Sequence, residues 1–571
     1  MTRKTKSAAG LKPAAAAGCT AALDALFQPF NSGDAPGLVV GVAQHGALLY
    51  RRGFGMASIE HAVANTPATR MRIGSTSKHF TCLAALLLAE EGRLDLDAPA
   101  TIHLPELKTQ QGVPTLRQMM DHTSGLRCYL DLLMLVGGLA VHPVGRAFEM
   151  QTRQTAVNFA PGEGQIYCNG GYHLLSVAIQ RASGVPLAQF MRERLFQPLG
   201  MLGTELAPSD MTILPGMATL HLALPPAVAK AAGGGYRRGI FMQEDVLGEG
   251  GIVSTVDDML AWTAHLRRAV GGQPQLGNAD TWQQMVTPAC LNNGQPTPYA
   301  LGLMVTEHRG AATLQHAGAV VGGACQMVTV PEYGLDLILM TNGPAANPVQ
   351  LAKQIIDVVL AAQLKRPPPK PVSLRSYRHL DGAQYQARRT GLRFGFAAAG
   401  KQLGISLFGP PAVPLLVDDG DTLRLRFEDA VLGHFAWSKG DLAPGTDGAA
   451  PATLAFTDAG VPDQLDLLPS TPPDTLKAGR ALLGRYHCDD LCATVAIAVE
   501  GSQLVLRLSG DYGQNALALT AVSADAFIAR ALDPLNPSAL GLTVCRQRRQ
   551  VVGVKLSSGR ARRVHFERLP H

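Results

Sequence analysis

The sequence predicts a multidomain protein in which an α/β (α+β) domain of mixed helices and strands is followed by two small antiparallel β-barrel domains. Three observations support this prediction. The chain of 571 residues is too long for a single hydrophobic core. Before residue 365, strand-like and helix-like apolar patterns alternate. After a proline-rich stretch, the remaining sequence alternates apolar and polar residues in two similar copies.

Composition sets the domain boundaries. Residues 1–18 are predicted to form a disordered, alanine-rich tail, because the alanine run is too short and too poor in leucine for a secretory signal. The α+β domain covers 19–364. The four prolines between Lys365 and Pro371 predict a stiff, extended linker at 365–372. The two barrels are then assigned to 373–477 and 478–571.

The two C-terminal copies keep one register. Tyr385 and Tyr486 are 101 residues apart. The same separation relates five further identical pairs: Gly400 and Gly501, Gln402 and Gln503, Leu403 and Leu504, Leu407 and Leu508, and Gly409 and Gly510. Chance rarely preserves one register over so many positions, so the pattern predicts a duplicated all-β unit of the small-barrel type.

Composition also excludes several classes of function. An apolar content of 46%, a charged content of 16% and a net charge of +6 are typical of a globular protein without a nucleic-acid partner. No apolar run reaches the roughly 18 residues of a membrane helix. Nine cysteines without paired spacing argue against a disulfide framework and favour a reducing compartment, which predicts a cytoplasmic protein. No metal-ligand cluster is recognisable, so neither a metal nor another cofactor is expected.

Local signals predict the individual elements. Strands at 37–43 and 47–50 flank His45-Gly46, which predicts a β-hairpin. Helices are predicted over 21–28, over 348–363, from Thr115 to a polar turn, and near Asp257 after a Ser254 or Thr255 cap. Strands are predicted over 299–305, over 314–320 and over 335–340.

The first candidate site is Ser75 and Lys78. They stand three residues apart in front of an apolar stretch of strong helix formers that Gly92 terminates, so both side chains lie on one helix face. A serine there would lie at a helix N-terminus, where backbone N–H groups favour developing negative charge. Serine is also the commonest helix cap, so this pair alone fits either a nucleophile or a cap.

The second candidate site follows the Pro161-Gly162 turn, where Tyr167 and Asn169 are two residues apart and point to one side of an extended segment. A tyrosine near an ammonium group acquires a lower phenol pKa and can then accept a serine proton. Asn169 offers both donors and an acceptor to a substrate amide. Taken alone, both residues fit an ordinary loop equally well.

The third candidate site is His316-Ala317-Gly318 with Ala319. Gly318 would let a substrate backbone approach the strand edge, and the Ala319 N–H would complete an oxyanion hole with that of Ser75. A lone strand histidine is more often simply packed in a core. For His122, a structural role in its turn is favoured over a role as a base, because serine, threonine and glycine surround it.

Taken together, Ser75-x-x-Lys78, Tyr167-x-Asn169 and His316-x-Gly318 resemble, in that order, the three signatures of penicillin-recognising serine hydrolases. That group contains class C β-lactamases, D,D-peptidases and related esterases. Histidine at 316, where most β-lactamases carry lysine, makes the sequence most similar to the D-aminopeptidase family. The likeness extends through the C-terminal half.

This resemblance implies a β-lactamase-like catalytic domain and two eight-stranded barrels, acting as a homodimer on small peptides or amino acid amides. Ser75 would be the nucleophile, and Lys78 and Tyr167 would share the base role. Asn169, His316, Gly318 and Ala319 would bind the substrate and its oxyanion. A loop of the last barrel restricts substrate entry in that family. The matching stretch is 532–537, in which Asp533 would meet a substrate ammonium or, alternatively, lie at an exposed hairpin tip.

The sequence departs from the family at 321–324, where small residues replace bulky and cationic ones, and at Met304, where an asparagine is expected. These departures predict a wider, less polar pocket. An esterase, a D-amino-acid amidase and a D,D-carboxypeptidase therefore remain alternatives with the same mechanism. A non-catalytic binding protein that retains the fold is an alternative from another class. A Ser-His-Asp hydrolase is disfavoured because the sequence contains no Gly-x-Ser-x-Gly elbow.

Overall fold

The structure is a computed structural model, and it describes residues 13–137, 144–241, 246–409, 412–417, 422–425, 435–445, 448–458, 461–533 and 539–570. The chain divides into two compact units. The first unit comprises residues 1–96, 175–289 and 298–367. The second comprises residues 97–174, 290–297 and 368–571. The last boundary, between Pro367 and Pro368, falls within the stretch predicted as a linker.

The first unit is built on a six-stranded antiparallel sheet, in which neighbouring strands run in the order Met304–His308, Ala311–Val320, Gly323–Val330, Leu335–Thr341, Leu38–Gln44 and Ala47–Phe54. The strands of this unit are β1 (Leu38–Gln44), β2 (Ala47–Phe54), β3 (Met56–Ser58), β4 (Val63–Ala64), β5 (Met71–Arg72), β6 (Glu205–Leu206), β7 (Leu220–Ala223), β8 (Tyr236–Gly239), β9 (Ile252–Ser254), β10 (Met304–His308), β11 (Ala311–Val320), β12 (Gly323–Val330) and β13 (Leu335–Thr341). Its α-helices are Pro13–Phe27, Lys78–Glu90, Leu187–Met191, Pro226–Ala232, Val256–Val270, Ala279–Val286 and Pro348–Val359. The residues of helix Asn169–Ser183 belong partly to each unit.

Helices cover both faces of this sheet. On one face, Leu38, Val40 and Val42 of β1 pack in one core with helices Pro13–Phe27 and Pro348–Val359. On the other face, β1 contacts helix Val256–Val270, against which a side chain at Gly41 would clash. The alternation of the two faces follows from the two-residue period of a strand. The predicted layered arrangement of strands and helices is therefore confirmed.

The predicted hairpin and helix cap are also confirmed. His45 and Gly46, with φ of 52° and 82°, form the two-residue turn between β1 and β2. Positive φ at both central positions is the geometry that matches the twist of paired strands. The Thr255 hydroxyl accepts a hydrogen bond from the Asp258 N–H and so caps helix Val256–Val270.

Two boundaries differ markedly from the sequence prediction. The first helix begins at Pro13, inside the stretch predicted to be a disordered tail, of which residues 1–12 lie outside the described residues. The strand predicted over 299–305 begins only at Met304. Gly302 explains this second difference, because its φ of 74° turns the chain where a side chain would meet the Cα of His79 at 2.7 Å.

The second unit contains two β-sheets and short α-helices. A ten-stranded sheet has the order β14-β19-β20-β21-β22-β23-β15-β16-β17-β18, and strands β24 to β31 form a closed barrel. The strands are β14 (Lys370–Pro371), β15 (Gln384–Ala387), β16 (Arg393–Ala399), β17 (Gln402–Leu407), β18 (Val413–Pro414), β19 (Leu416–Val417), β20 (Thr422–Leu425), β21 (Phe435–Ser438), β22 (Thr453–Asp458), β23 (Val461–Leu467), β24 (Gly484–Cys488), β25 (Ala493–Glu500), β26 (Gln503–Gly510), β27 (Gly513–Ser523), β28 (Ala526–Ala531), β29 (Ala539–Gln547), β30 (Gln550–Ser557) and β31 (Val564–Arg568). The α-helices are Leu116–Met120, Tyr129–Gly137, Arg146–Arg153 and Thr475–Gly479.

The sequence repeat corresponds to equivalent strands. Tyr385 on β15 and Tyr486 on β24 are both fully buried. Gly400 and Gly501 form the following hairpin turns with φ of 65° and 59°. The second copy closes into the predicted eight-stranded barrel, and the first forms the ten-stranded sheet. The predicted fold class is confirmed.

Within the described ranges, none of the helices is both long and apolar enough to cross a membrane. The same residues contain no group of three histidine, cysteine or carboxylate side chains arranged to hold a metal ion. All nine cysteines are free thiols.

The core of the first unit buries two histidines beside tryptophan. His79 stacks on Trp262 with ring centroids 5.1 Å apart, and His265 lies edge-on to Trp282 at 5.0 Å. Neither ring nitrogen of His79 or of His265 has a hydrogen-bond partner among the described residues. Burial lowers the pKa of His79 well below its usual range and, together with the charge of Arg268, lowers that of His265 to about 4. Both imidazoles are therefore neutral in the folded protein at neutral pH.

This core makes the protein sensitive to acid. Between about pH 6.5 and pH 4 the unfolded chain protonates His265 and the folded chain does not, so stability falls as the pH falls. We expect His265→Leu to lose less thermal stability than the wild type between pH 7 and pH 5, with a difference of about 1–2 kcal/mol. Calorimetric unfolding of both proteins at the two pH values measures this difference in the free energy of unfolding. Replacement of the exposed His61 by glutamine is the control, and equal losses in His265→Leu and wild type would contradict the prediction.

Candidate active site

The first unit brings Ser75 and Lys78 together. Ser75 lies on a 3-10 turn, Gly74–Ser77, which leads directly into helix Lys78–Glu90. The Lys78 ammonium donates hydrogen bonds to Ser75 Oγ at 3.0 Å and to the carbonyl oxygen of Glu249 at 2.6 Å. The Lys78 side chain is fully buried. This is the geometry in which an amine and a hydroxyl exchange a proton.

Hydrogen bonds hold the turn in place. Ser77 Oγ donates to the carbonyl oxygen of Gly74 at 2.6 Å and accepts from the Ile252 N–H at 3.2 Å. Thr76 Oγ1 donates to the carbonyl oxygen of His316 on β11 at 3.3 Å. The hydroxyl groups of Thr76 and Ser77, which stand between Ser75 and Lys78 in the sequence, therefore anchor the turn to the neighbouring strands.

Two glycines bring the turn and β11 into close contact. A Cβ at Gly318 would lie 1.9 Å from the carbonyl oxygen of Ile73, and one at Gly74 would lie 2.8 Å from the Ala319 nitrogen. Packing against Ile73 therefore requires a glycine at 318, whereas the predicted approach of a substrate to this strand remains a prediction. The close contact at Gly74 places the backbone of Ala319 beside the residue that precedes Ser75.

His316 on β11 is held as a neutral imidazole. Its Nδ1 lies 2.5 Å from the carbonyl oxygen of Ala317, which only accepts, so Nδ1–H is the donor. Burial first, and then the positive charge of Lys78, lower its pKa to about 3. A neutral ring leaves Nε2 as an acceptor for the Tyr299 hydroxyl, at 2.7 Å. His316 therefore has a fixed tautomer and no ionic charge.

The glycines that follow β11 are closely packed against β7. A Cβ at Gly322 would lie 2.9 Å from the His221 nitrogen, and one at Gly323 would lie 2.9 Å from Leu220 Cδ2. The His221 N–H also donates to the carbonyl oxygen of Gly322 at 3.3 Å. Strand β7 thus occupies the space that larger side chains would need, so these glycines do not support the wider pocket expected from the sequence.

Tyr167 and Asn169 lie in the second unit, and both are nearly fully buried. Their segment is tied to the turn after helix Leu116–Met120. The Ile166 N–H donates to the carbonyl oxygen of His122 at 3.1 Å, and the Gly162 N–H donates to that of Thr123 at 2.8 Å. Two backbone hydrogen bonds therefore hold the segment that carries Tyr167 in place.

His122 supports this segment directly. Its φ of 67° belongs to the left-handed region, and its Nδ1 accepts the Cys168 N–H at 3.1 Å. The imidazole packs on the Tyr167 ring with centroids 4.0 Å apart. The structural role predicted for His122 is confirmed, and the residue that it orients is Tyr167.

Asp533 is exposed directly after β28. The rest of its predicted loop, Pro534, Leu535, Asn536 and Pro537, lies outside the described residues. Two groups of the site are not indicated by the sequence. They are Tyr299, which is predicted only as part of a strand and binds His316, and the carbonyl group of Glu249, which binds Lys78. For Glu249 a signal existed, because glycines at 248, 250 and 251 mark a segment of closely packed backbone.

The hydroxyl group of Tyr299 provides a test of this arrangement. Tyr299→Phe keeps the ring and removes the hydroxyl that donates to His316 Nε2, and the loss of this buried hydrogen bond costs about 1 kcal/mol. We expect a lower thermal unfolding midpoint. Tyr333→Phe is the control, because the Tyr333 hydroxyl makes an exposed hydrogen bond of 3.4 Å to Gln363. Equal stability in the two variants would contradict the assignment of the Tyr299 bond.

Comparisons with known proteins show which family the chain belongs to and which folds it resembles. A D-aminopeptidase from Brucella ovis is 27% identical over 560 residues, covering 94% of this chain and 96% of the relative. An octameric penicillin-binding protein homologue from Pyrococcus abyssi superposes with a TM-score of 0.50 at 18% identity, covering 93% of this chain and 95% of that one. A D-amino acid amidase from Ochrobactrum anthropi SV3 superposes with a TM-score of 0.50 at 21% identity, covering 61% of this chain and 99% of that one. The Beta-lactamase family model matches residues 23–361, and the chain belongs to that family.

Proposed function

We propose that the protein is a D-aminopeptidase, a serine hydrolase that releases N-terminal D-amino acids from small peptides and from amino acid amides and esters. The observation that carries the proposal is the 3.0 Å hydrogen bond from a fully buried Lys78 ammonium to Ser75 Oγ. The choice of substrate is supported by the relative named D-aminopeptidase, whose similarity to this chain includes the C-terminal half.

In the proposed reaction, Ser75 Oγ attacks the substrate carbonyl carbon and its proton passes to the base shared by Lys78 and Tyr167. The tetrahedral intermediate collapses, the C–N or C–O bond breaks, and the same groups protonate the leaving amine or alcohol. In the second half of the reaction, water attacks the carbonyl carbon of the serine ester and its proton passes to the same base. The bond from that carbon to Oγ then breaks, Oγ takes the proton from the base, and the free acid leaves. The reaction needs no cofactor, since every proton and electron pair moves between substrate, water and these side chains.

The oxyanion would be stabilised by the N–H groups of Ser75 and Ala319. The close contact between Gly74 and Ala319 supports this assignment. One such donor contributes about 3 kcal/mol to the stability of a transition state. Gly318 contributes by permitting that contact. His316, as a neutral ring beside Lys78, adds no charge that would compete with the ammonium.

Asn169 and Asp533 are assigned to substrate binding in this proposal. Asn169 offers an amide to the substrate backbone. Asp533 offers a carboxylate to the free ammonium of an N-terminal D-amino acid. The exposure of Asp533 at the end of β28 supports a role in substrate entry.

The principal test combines substrate choice with labelling of the nucleophile. We expect hydrolysis of D-alanine p-nitroanilide in preference to the L-isomer, and Ser75→Ala should lower kcat by at least ~1,000-fold. A serine-directed phosphonate should label the wild type and the variant Ser502→Ala, in which an exposed serine of the barrel is replaced, but not Ser75→Ala. Hydrolysis of p-nitrophenyl esters alone would favour the esterase, and a wild-type protein that stays unlabelled would favour a non-catalytic binding protein.

Release of D-alanine from the C-terminus of a D-Ala-D-Ala peptide, without cleavage of N-terminal residues, would identify a D,D-carboxypeptidase instead. Preference for free amides over peptides would identify a D-amino-acid amidase. His122→Ala does not separate a Ser-His-Asp hydrolase from this mechanism, because His122 orients Tyr167.

Deletion of residues 532–537 tests the proposed control of substrate entry. Removing this loop should broaden the range of peptides hydrolysed and weaken the preference for a free N-terminal ammonium, because the Asp533 carboxylate is lost. Rates with N-acetylated and free D-alanyl substrates measure the effect. Asp511→Asn, elsewhere on the same barrel, is the control, and an unchanged substrate profile after the deletion would refute the role of the loop.

We further infer a cytoplasmic location and a homodimer. Nine free cysteines support a reducing compartment. The homodimer rests on the resemblance to the D-aminopeptidase family, and analytical ultracentrifugation of the purified protein tests it.

A further inference from the structure

One buried arginine of the second unit differs from the other buried arginines of the described residues. Four arginines are buried in that part of the chain. Three of them pair with a carboxylate: Arg72 with Asp210, Arg127 with Asp490 and Arg562 with Asp458. The fourth is Arg393 on β16, which is only 2% exposed. A buried charge is costly unless an opposite charge and hydrogen bonds replace its hydration, so the surroundings of Arg393 need an explanation.

The guanidinium group of Arg393 connects the ten-stranded sheet to the closed barrel. Its Nη2 donates to the carbonyl oxygen of Leu542 on β29 at 2.9 Å. Its Nε and Nη1 have no hydrogen-bond acceptor among the described residues. Burial lowers the pKa of the group to about 10. Because a guanidinium is planar and rigid, Nε and Nη1 lie close to the same segment of β29 as Nη2.

The polar side chains next to Arg393 also present donors. Gln386 on β15 is the register partner of Arg393, so both side chains lie on one face of the sheet. Gln386 Nε2 donates to Thr543 Oγ1 on β29 at 3.3 Å. Ser557 Oγ on β30 accepts the Arg563 N–H at 2.9 Å. Since each of these hydroxyl oxygens already accepts a hydrogen bond, its own proton is directed to a further acceptor.

Gly391 leaves space beside these groups. A Cβ at this position would lie 3.7 Å from Thr543 Oγ1, 3.8 Å from Ser557 Oγ and 3.9 Å from Gln386 Nε2. A methyl-sized group would thus be in ordinary contact with three polar atoms from the sheet and the barrel. Arg393 lies beside this space, because it is opposite Gln386 and binds the residue that precedes Thr543. We name this space the junction crevice, bounded by Gln386, Gly391, Arg393, Thr543 and Ser557.

We propose that the junction crevice binds a small monovalent anion of the size of chloride, held by the Nε and Nη1 donors of Arg393 and by the hydroxyl groups of Thr543 and Ser557. The anion supplies the negative charge that carboxylates supply to the other three buried arginines. A water molecule would accept the same protons but would not compensate the charge. The methyl-sized space beside Gly391 suits a single-atom ion better than a polyatomic one.

Binding there stabilises the junction between the two copies of the β unit, because the anion contacts donors on both. A second link supports the importance of this junction, since Arg530 Nη2 on β28 donates to the carbonyl oxygen of Phe408 at 3.0 Å. The inference concerns a site of its own and does not depend on the proposed hydrolase activity.

The test follows the thermal unfolding midpoint of the full chain between about 1 and 100 mM chloride, with sodium gluconate keeping the ionic strength constant. A ligand that binds only the folded state raises the midpoint once its concentration exceeds Kd. We expect a rise of about 2–4 °C in the wild type. Arg393→Met, which replaces the guanidinium by an apolar side chain, should remove this dependence.

The control is Arg507→Met, which breaks an exposed ion pair with Glu500 on the closed barrel and should keep the full chloride dependence. A wild-type midpoint that does not change with chloride would overturn the proposal. The same holds if Arg393→Met keeps the wild-type dependence, because the anion would then bind elsewhere.

A second measurement keeps the test valid if Arg393→Met does not fold. Binding of chloride broadens its chlorine NMR signal, and an excess of bromide should reverse the broadening by competition. Thr543→Val keeps the guanidinium and removes one donor, so we expect chloride to bind about 5-fold more weakly. Broadening that is absent from the wild type, or an equal chloride affinity of the wild type and Thr543→Val, would contradict the assigned site.

Discussion

The arrangement around Ser75 in the first unit depends on the burial of one ammonium group, that of Lys78. The Lys78 side chain is fully buried, and its ammonium group donates hydrogen bonds to the Ser75 hydroxyl and to the carbonyl oxygen of Glu249. An isolated charge in a protein interior is costly unless hydrogen bonds replace its hydration. The Ser75 hydroxyl, proposed as the nucleophile, therefore also belongs to the set of oxygens that hydrogen-bond the buried ammonium. Burial of the His316 ring, and then repulsion by Lys78, lower the pKa of His316 and keep it neutral.

Close backbone contacts preserve this arrangement. Gly318 lets β11 approach Ile73, Gly74 lies against Ala319, and Gly302 turns the chain beside His79. At each position a methyl group would overlap backbone atoms at less than 3 Å, so a side chain there would force the turn and the strand apart. These contacts, with the Thr76 bond to β11, fix the distance between the Ser75 turn and the strand more rigidly than side-chain packing alone would.

In the second unit, the barrel and the helical segment 97–174 form one compact body. Asp131 binds Arg560, which lies between β30 and β31, and Asp490 accepts hydrogen bonds from the Thr155 hydroxyl at 2.9 Å and from the Thr155 N–H at 3.2 Å. Buried apolar residues of helix Tyr129–Gly137 belong to the same core as the barrel interior. The barrel is therefore part of the scaffold that holds the Tyr167 segment.

The sequence alone determined the features that depend on local periodicity and on short spacings. The hairpin at His45-Gly46, the Ser75–Lys78 pair, the Thr255 cap and the 101-residue repeat each follow from residues close in sequence or from strict alternation, and the structure bears them out. Tertiary structure decided the rest, because the deciding partners are distant in the chain. Tyr299 binds His316 only after the chain turns at Gly302, Gly318 is explained by Ile73, and Arg560 meets Asp131 across 429 residues. A sequence pattern records which faces are apolar, but it does not record which buried donor will find which acceptor.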